Sequence, residues 1–463
     1  MPSIVSSGIG SGLDIAGIVQ QLVAAEGQPL NSRLGLKEVR AQGKLSAFGS
    51  LKSALSSVRD KLDAMKSIDK FLSRKATSSN TDVFTVSAGT NAVPANYSIE
   101  VVQTATSQKL TSGAFSGEDA VVGTGTLTID VGASRMILNI PAEKNTLAGI
   151  RDTINSSRSN PGVSATIVNA DSGSYLILTA DGTGASNTIT VTQAGGDGGL
   201  AALEYDPANL LQSMTESIPA QDALIRIDSL DVMSSSNTFT GAVQGVTISV
   251  LASTGGQAES LRVENDRDAT KTLVNDFVKS YNELMTMMDS LTAYNAESDQ
   301  GAPLLGDSTI RGIRDQIRRE MSSAVGNIDA SFSRLSDVGI EVQLNGQLTV
   351  NDARLSEVLS NDFVKFGQLF ATTDGFATRL HDLTDGFLES DGIIESRTQG
   401  LKAQIEGIVD DREALNERLA SLETRLLKQF NALDSLLAQL SSTSGFLSQQ
   451  LNNLPGVRRV NDN

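Results

Sequence analysis

Residues 401–440 read LKAQIEGIVDDREALNERLASLETRLLKQFNALDSLLAQL, and their periodicity decides the fold. Alternating steps of four and three residues select twelve positions, of which ten are apolar, although hydrophobic residues make up only 39% of the whole chain. The ten apolar positions are Leu401, Ile405, Ile408, Leu415, Leu419, Leu422, Leu426, Leu433, Leu436 and Leu440. This repeat is typical of a helix, here about 60 Å long, that packs along one apolar seam. Such a helix needs a partner, because it cannot bury the seam by itself.

A partner for this helix is predicted near the N-terminus, where residues 30–66 also have helical periodicity. Apolar residues recur there every seven positions, and a second set follows three places after the later ones. The first set is Leu34, Ala41, Phe48, Leu55 and Leu62, and the second is Leu51, Val58 and Met65. Arg412 and Gln429 are polar residues at seam positions of the C-terminal helix, and we expect them to fix the register. The two helices are therefore predicted to pair with each other, with a sister chain, or with both.

Between these helical ends the period changes from 3.6 residues to 2. From about residue 76, short alternating runs such as VFTVSAG, TLTIDV and VTISV are separated by Gly, Asn, Asp and Ser, which predicts an all-β region. One helical run, TLAGIRDTINSSR, interrupts it. The helical period returns at about residue 266. There Asn345-Gly346 joins two alternating runs and predicts a two-residue hairpin turn, and Asp352 is predicted to cap the next helix.

These patterns predict an α+β fold in which long paired N- and C-terminal helices form coiled-coil legs and two nested, mainly β head domains are inserted between them. We divide the chain into five parts. They are a flexible N-terminal leg segment (1–30), a helical domain with a small β-hairpin (31–75 and 266–440), a β domain (76–118 and 215–265), an inserted β domain (119–214) and a C-terminal leg segment (441–463).

The composition excludes several classes of function. The net charge is −17, which disfavours binding to nucleic acid, and the absence of cysteine removes thiolate catalysis and Cys-ligated zinc. The single histidine, His381, has no nucleophile motif beside it, and scattered carboxylates suggest no metal site. We therefore predict no enzyme activity, no cofactor and no metal. The N-terminus lacks the features of a signal peptide, and no apolar run is long enough to span a membrane, so we expect neither.

The glycine-rich opening, SSGIGSGLDI at residues 6–15, raises the question of phosphate binding. A dinucleotide fingerprint requires a third glycine where this chain has Leu13, and it requires a preceding strand. The better interpretation is a flexible lead-in followed by a helix. Asp14 would cap this helix, and its apolar face would begin with Ile15, Ile18, Val19, Leu22 and Val23.

The opening SSGIGSGLDIAGIVQQLVAAEGQPL resembles the N-terminus of bacterial flagellar filament-capping proteins, the hook-associated protein 2 family. In that family a short disordered segment precedes a helix that ends in Glu and Pro, here Glu26 and Pro29. Further similar stretches follow in order over nearly the whole chain. They include SIEVVQTATSQKLTS, GSYLILTADGTGASNTITV, IRIDSLDVMSSSNTFTGAVQGVTISVL, NGQLTVNDARL and LDSLLAQLSSTSGFLSQQL.

This resemblance implies a cap at the distal tip of the flagellar filament, which stops exported flagellin from escaping and helps it to fold and insert. It implies a ring homo-oligomer, commonly a pentamer, and contacts with flagellin and the filament tip. It also implies export through the flagellar type III channel without a cleaved signal peptide, and a cytoplasmic export chaperone that binds the C-terminal region. The leg hinge and filament-contact segment would comprise Gly8, Gly10, Gly12, Leu13, Asp14, Ile15, Ile18 and Leu22.

Two alternatives remain open at the level of sequence. The chain could be another flagellar axial protein, either a flagellin or a hook–filament junction protein, because these share paired terminal helices. It could also be a surface adhesin whose β head binds host glycans. The ordered set of similar stretches favours the cap over the first alternative, and glycan binding by residues 76–265 alone would distinguish the second.

Overall fold

The computed structural model describes residues 12–297, 299–326 and 332–452, and its first helix begins where the sequence predicts. Asp14 is the N-cap of this helix, and its side chain accepts a hydrogen bond of 2.9 Å from the backbone N–H of Gly17. In chain order the helices are α1 (Ile15–Met65), α2 (Ile68–Phe71), α3 (Leu147–Ser156), α4 (Arg267–Thr292), α5 (Ser308–Ser322), α6 (Asp352–Asn361), α7 (Phe363–Ala371), α8 (Phe376–Leu388) and α9 (Ile393–Asn452).

Helix α1 is longer than the sequence patterns indicate. It does not end near Glu26 and Pro29, because Pro29 lies inside it, and the proposed domain boundary after residue 30 is not a break in the helix. Proline removes one backbone hydrogen bond, but buried residues on both sides of it, Gly27 and Leu34, hold the chain in the helical path. The five residues of the seven-residue repeat and the three that follow three places after it, as given in the sequence analysis, are all buried in α1.

Helix α1 is the common packing partner in a helical unit. This unit comprises the described residues up to Ile68, from Thr272 to Leu359 and from Lys365 onward. Ion pairs connect α1 to α4 through Lys61 and Asp276 (2.8 Å) and to α8 through Arg59 and Asp385 (3.4 Å). Helix α9 runs on to Asn452, so the predicted boundary after residue 440 is not a helix end either.

The strands alternate between buried and exposed side chains, as in the Val246–Val250 strand, where Val246, Ile248 and Val250 point into a core. In chain order they are β1 (Arg74–Ser78), β2 (Phe84–Ala88), β3 (Ala95–Gln103), β4 (Lys109–Thr111), β5 (Gly125–Val131), β6 (Ser134–Ile140), β7 (Val163–Ala170), β8 (Gly173–Ala180), β9 (Ile189–Ala194), β10 (Tyr205–Asp206), β11 (Leu211–Gln212), β12 (Thr215–Ile218), β13 (Ala223–Ile227), β14 (Leu230–Ser234), β15 (Thr238–Val243), β16 (Val246–Val250), β17 (Glu259–Asn265), β18 (Tyr294–Asn295), β19 (Gln300–Gly301), β20 (Ile340–Val342) and β21 (Leu348–Val350).

The second unit, residues 69–271 with 360–364, contains two separate β cores. One core lies between a five-stranded sheet of order β1-β17-β3-β13-β14 and a three-stranded sheet of order β15-β16-β2. The other core lies between sheets of order β11-β10-β9-β5-β6 and β12-β4-β8-β7, and Leu147, Ile150 and Ile154 of α3 cover it. One β body is thus inserted into a loop of the other, and the predicted α+β fold class is confirmed.

The boundaries between the two β bodies differ from those predicted at residues 118/119 and 214/215. Strands β4 and β12 pair in the sheet of the inserted body, and Leu110 belongs to its core. The crossing point lies at the bridge between Thr106 and Gln221. The reason is tertiary: β4 pairs with β8, and β12 pairs with β4. Alternation along the chain does not reveal which strands pair.

The helical unit contains the predicted small hairpin, with two corrections. Strands β20 and β21 pair antiparallel, but Val342 pairs with Leu348, so five residues rather than two form the loop around Asn345-Gly346. Gly346 has a φ of +85°, which explains the glycine there. Asn351, not Asp352, caps α6, because its side chain accepts a hydrogen bond of 3.1 Å from the backbone N–H of Arg354.

Candidate functional site

Helices α1 and α9 form the pair that the sequence predicts; they run antiparallel, and three ion pairs connect them. Lys52 pairs with Glu395 at 3.1 Å, Glu38 with Arg412 at 2.6 Å, and Glu26 with Arg418 at 3.4 Å. From Lys52 to Glu26 these contacts follow about 39 Å of helix. Arg412, expected to fix the register as a polar seam residue, is thus one member of the shortest of the three pairs.

One apolar cluster joins the two helices. Leu34 of α1 clusters with Ile408 and Leu415 of α9, and Leu30 and Leu419 pack against the cluster. The helices approach closely beside it, since a Cβ atom on Gly27 would lie 2.6 Å from Cδ1 of Leu419. The other predicted seam residues of this part of α9 are only half-buried. They are Leu401, Ile405, Leu422 and Leu426.

Beyond this contact α9 extends past the start of α1. In the register of the Glu26–Arg418 pair, the first turn of α1 lies opposite α9 near Gln429. About 23 further residues of α9, roughly 35 Å, therefore have no described part of α1 beside them. We name residues 430–452 the overhang. The predicted seam residues in it are not buried: Leu433, Leu436 and Leu440 are 48%, 55% and 57% exposed. No described residue of α1 reaches them, so their place in a seam with another chain stays a prediction.

The apolar stripe of the overhang also continues further than the sequence analysis followed it. Phe446, Leu447 and Leu451 are 61%, 55% and 62% exposed. Continued beyond Leu440, the alternating steps of three and four residues pass the polar Thr443 and reach Leu447, and Leu451 lies one turn further along the same face. That periodicity was the available signal for them, whereas Phe446 lies one position off the stripe. Large exposed apolar surfaces of this kind mark sites of interaction with other proteins.

The N-terminal candidate segment lies partly outside the described residues. Gly8 and Gly10 fall there. Gly12 has a φ of +73°, a conformation that favours glycine, and no atom lies within 4 Å of where its Cβ would be. Leu13 is half-exposed. At the start of α1, Ile15 is buried, Ile18 is half-buried and Leu22 is 45% exposed. The role of this segment as a hinge stays a prediction.

His381 is half-buried and is surrounded by charged side chains. Its ring lies 3.6 Å from Asp63, 3.2 Å from Asp382 and 3.3 Å from the Nζ of Lys66. Across residues 12–297, 299–326 and 332–452, no group of three or more acidic or histidine side chains is arranged to hold a metal ion. Over the same ranges, no helix is both long and apolar enough to cross a membrane.

Asp307 joins α5 to α9 and gives the helical unit a pH-dependent contact. It caps α5 by accepting a hydrogen bond of 2.8 Å from the N–H of Thr309, and it pairs with Arg397 of α9 at 2.7 Å. Burial by itself raises the pKa of Asp307, but Arg397 and the Thr309 N–H together hold that pKa below its ordinary value of 3.8. The ionised form is thus the one that the folded chain favours.

We expect Asp307→Asn to lower the free energy of unfolding of the helical unit by about 1–2 kcal/mol at neutral pH, because asparagine keeps the cap but loses the charge opposite Arg397. Since the pKa is depressed on folding, this stabilisation is present above the unfolded pKa and is lost as pH falls through the folded one. Urea unfolding at pH 7 and below about pH 3 measures both parts. Asp391→Asn, an exposed position, is the control, and an equal loss at both pH values would contradict the assignment.

Two family models match the chain. The model described as flagellar hook-associated protein 2 N-terminus matches residues 11–108, and the one described as flagellar hook-associated protein 2 C-terminus matches residues 220–442. Among solved structures, the D1-D2-D3 domains of the flagellar cap protein of Escherichia coli align with a TM-score of 0.66 at 31% identity. That alignment covers 77% of this chain and 99% of the other.

Curated relatives match over almost their full length. The A-type flagellar hook-associated protein 2 of Pseudomonas aeruginosa is 33% identical, over 97% of this chain and 98% of the relative. The flagellar hook-associated protein 2 of Escherichia coli K12 is 32% identical, over 98% of this chain and 99% of the relative. The paired terminal helices, the inserted β bodies and these matches agree, and the chain belongs to the flagellar hook-associated protein 2 family.

Proposed function

We propose that this protein caps the distal tip of the flagellar filament, where it retains exported flagellin and promotes its folding and insertion. The observation that carries the proposal is the overhang, a single helix with an exposed apolar stripe beyond a stable helical unit. Such a stripe needs an apolar surface on a partner, and in this proposal the filament end supplies it. The solved relative named a flagellar cap protein supports the same function. The role is structural and does not involve catalysis.

The partners follow from this role. Several copies form a ring, commonly a pentamer, and the ring contacts flagellin at the filament tip. Before export, a cytoplasmic chaperone binds the C-terminal region, where the stripe of the overhang would otherwise expose Leu447, Leu451 and their neighbours to water. The chain reaches the tip through the flagellar type III channel without a cleaved signal peptide.

The N-terminal segment acts as the hinge of the leg in this proposal. A closed ring cannot match the helical lattice of a filament, so each leg must change its geometry as subunits are added. Backbone changes of that kind are absorbed by a few terminal or loop residues, often small ones. Gly8, Gly10 and Gly12 precede the Asp14 cap of α1 and fit this role, with Leu13, Ile15, Ile18 and Leu22 as the adjacent contact residues.

Deletion of residues 2–14 tests the proposal in cells of the source bacterium that express only the truncated chain. We expect short or absent filaments and abundant monomeric flagellin in the medium, because the hinge and the cap of α1 are lost while the residues of both β cores remain in the chain. The full-length chain is the control. Normal filaments without flagellin leakage would contradict the proposal, and detection of the truncated chain in the medium verifies that its export is intact.

A further inference from the structure

Helix α1 carries a stripe of four basic residues. Arg33, Lys37, Arg40 and Lys44 are spaced by four, three and four positions, so they follow one face of the helix for about 16 Å. All four are exposed. Each of the first three directly precedes a residue that faces α9, namely Leu34, Glu38 or Ala41, so the basic stripe lies on the flank of the helix pair. Three of its members line a groove of about 860 Å³ that also involves Gln300 and Pro303.

Helix α9 carries an acidic stripe with the same spacing. Its members are Glu406, Asp410, Glu413 and Glu417, and all four are exposed. The first three lie two positions before Ile408, Arg412 and Leu415, which face α1. The acidic stripe is therefore about 200° around the helix from the seam. It points away from α1 and cannot reach the basic stripe of its own chain.

Both stripes are unpaired in the single chain. Among the described residues, none of the eight side chains forms an ion pair, although Glu38 and Arg412 beside them do. The acidic stripe ends on both sides at uncharged residues, since the next positions with this spacing are Ala403 and Ala420. The basic stripe likewise ends at Leu30 and Ala47. The two stripes thus have opposite charge and equal length. Exposed apolar residues accompany both: Leu36 and Val39 on α1, and Val409 on α9.

The stripes also share one register. The intrachain approach of Gly27 to Leu419 sets which residues of the antiparallel helices lie at the same height, because no long side chain spans it. Extended along both helices, this register places Arg33 level with Glu413, Arg40 level with Glu406, and Lys37 within one residue of Asp410. A neighbouring copy related by rotation alone, without a shift along the helices, would therefore present three acidic residues opposite three basic ones.

We propose that the basic stripe of α1 in one copy packs against the acidic stripe of α9 in the next copy of this chain. The contact is heterologous, because it joins two different surfaces. Such a contact closes into a ring when its symmetry operation is a pure rotation that closes, and the similar heights of the two stripes fit a rotation without a shift along the helices. The inference takes from the proposed function only that several copies associate, and it names the surfaces through which they do so.

Charge reversal in the full-length protein tests the contact. One variant carries Arg33→Glu, Lys37→Glu, Arg40→Glu and Lys44→Glu, and a second carries Glu406→Lys, Asp410→Lys, Glu413→Lys and Glu417→Lys. Each is expected to weaken self-association at least tenfold in sedimentation velocity, because like charges then face each other. A third variant combines all eight changes, has the original net charge, and is expected to restore association to within about twofold, because the opposite charges again face each other.

The control variant makes the same change of net charge as the basic-stripe variant, but at other positions. Lys70→Glu, Lys109→Glu, Lys144→Glu and Arg158→Glu lie at exposed positions outside the helical unit, and this variant is expected to associate like the unaltered chain. Circular dichroism establishes that each variant is folded. Unchanged association in either single reversal, a folded combined variant that stays weakened, or an unaltered chain that is monomeric at every soluble concentration would overturn the proposal.

Cysteine cross-linking tests the register, and the chain contains no native cysteine to interfere. Lys37→Cys with Asp410→Cys in one chain is expected to give a ladder of disulfide-linked oligomers under mild oxidation. Arg33→Cys with Glu406→Cys is mismatched by about 10 Å and should give none. A ladder from the mismatched pair alone would overturn the register. A ladder from the matched pair together with normal filament growth in cells that lack this protein would refute the cap function and leave the interface standing.

Discussion

Replacing Ile408 and Leu415 together by aspartate is expected to separate α9 from α1. Both residues belong to the cluster around Leu34 and are only 4% and 8% exposed in the folded chain. Truncating one such side chain costs about 2–5 kcal/mol, and burying a carboxylate in its place costs more, so the pair should lose about 5 kcal/mol or more.

Urea unfolding followed by far-UV circular dichroism measures this loss, and limited proteolysis within α1 reports the separation directly. The matched control is Leu433→Asp with Leu440→Asp, which makes the same change at the same spacing on the same helix. Those positions are 48% and 57% exposed, and substitutions there should alter stability by no more than about 0.5 kcal/mol. Equal effects of the two variants would contradict the conclusion that the contact between α1 and α9 stops before the overhang.

The same control variant carries the second large expectation, which concerns function. Leu433→Asp with Leu440→Asp should abolish filament growth and raise the amount of monomeric flagellin in the medium, although the purified chain is folded. The stripe of the overhang is exposed in the single chain, so its apolar residues can contribute only through a partner. Two carboxylates on it would have to be desolvated when that partner binds.

Filament length by electron microscopy and flagellin in the culture medium give the readout in cells that express only the variant. Ser435→Asp with Ser442→Asp adds the same charges on the polar side of the overhang and should leave filaments normal. Failure of that control variant as well would point to the added charge and not to the stripe. Normal filaments in the Leu433 and Leu440 variant would show that the stripe is not a docking surface.

Most of the helical core could be predicted from periodicity. The repeats through Leu34, Phe48, Leu55 and Leu62 identify the buried side of α1 correctly, because side-chain direction in a helix depends only on position along it. The same holds for alternating strands such as β16. For the candidate site, periodicity also placed Leu433, Leu436 and Leu440 on the apolar face of α9. It did not indicate that they would be exposed to solvent in the single chain.

The sequence by itself determined which elements form and which of their faces are apolar, since rotation per residue is a local property of the backbone. Only the tertiary structure decided where the pairing of α1 and α9 stops and in which register it runs. Contacts such as Glu38 with Arg412 join residues that are far apart in the chain, and their alignment depends on how two helices fit sideways. The crossing between the β bodies at Thr106 and Gln221 was decided in the same way, because strand pairing is a contact between distant segments that no single segment encodes.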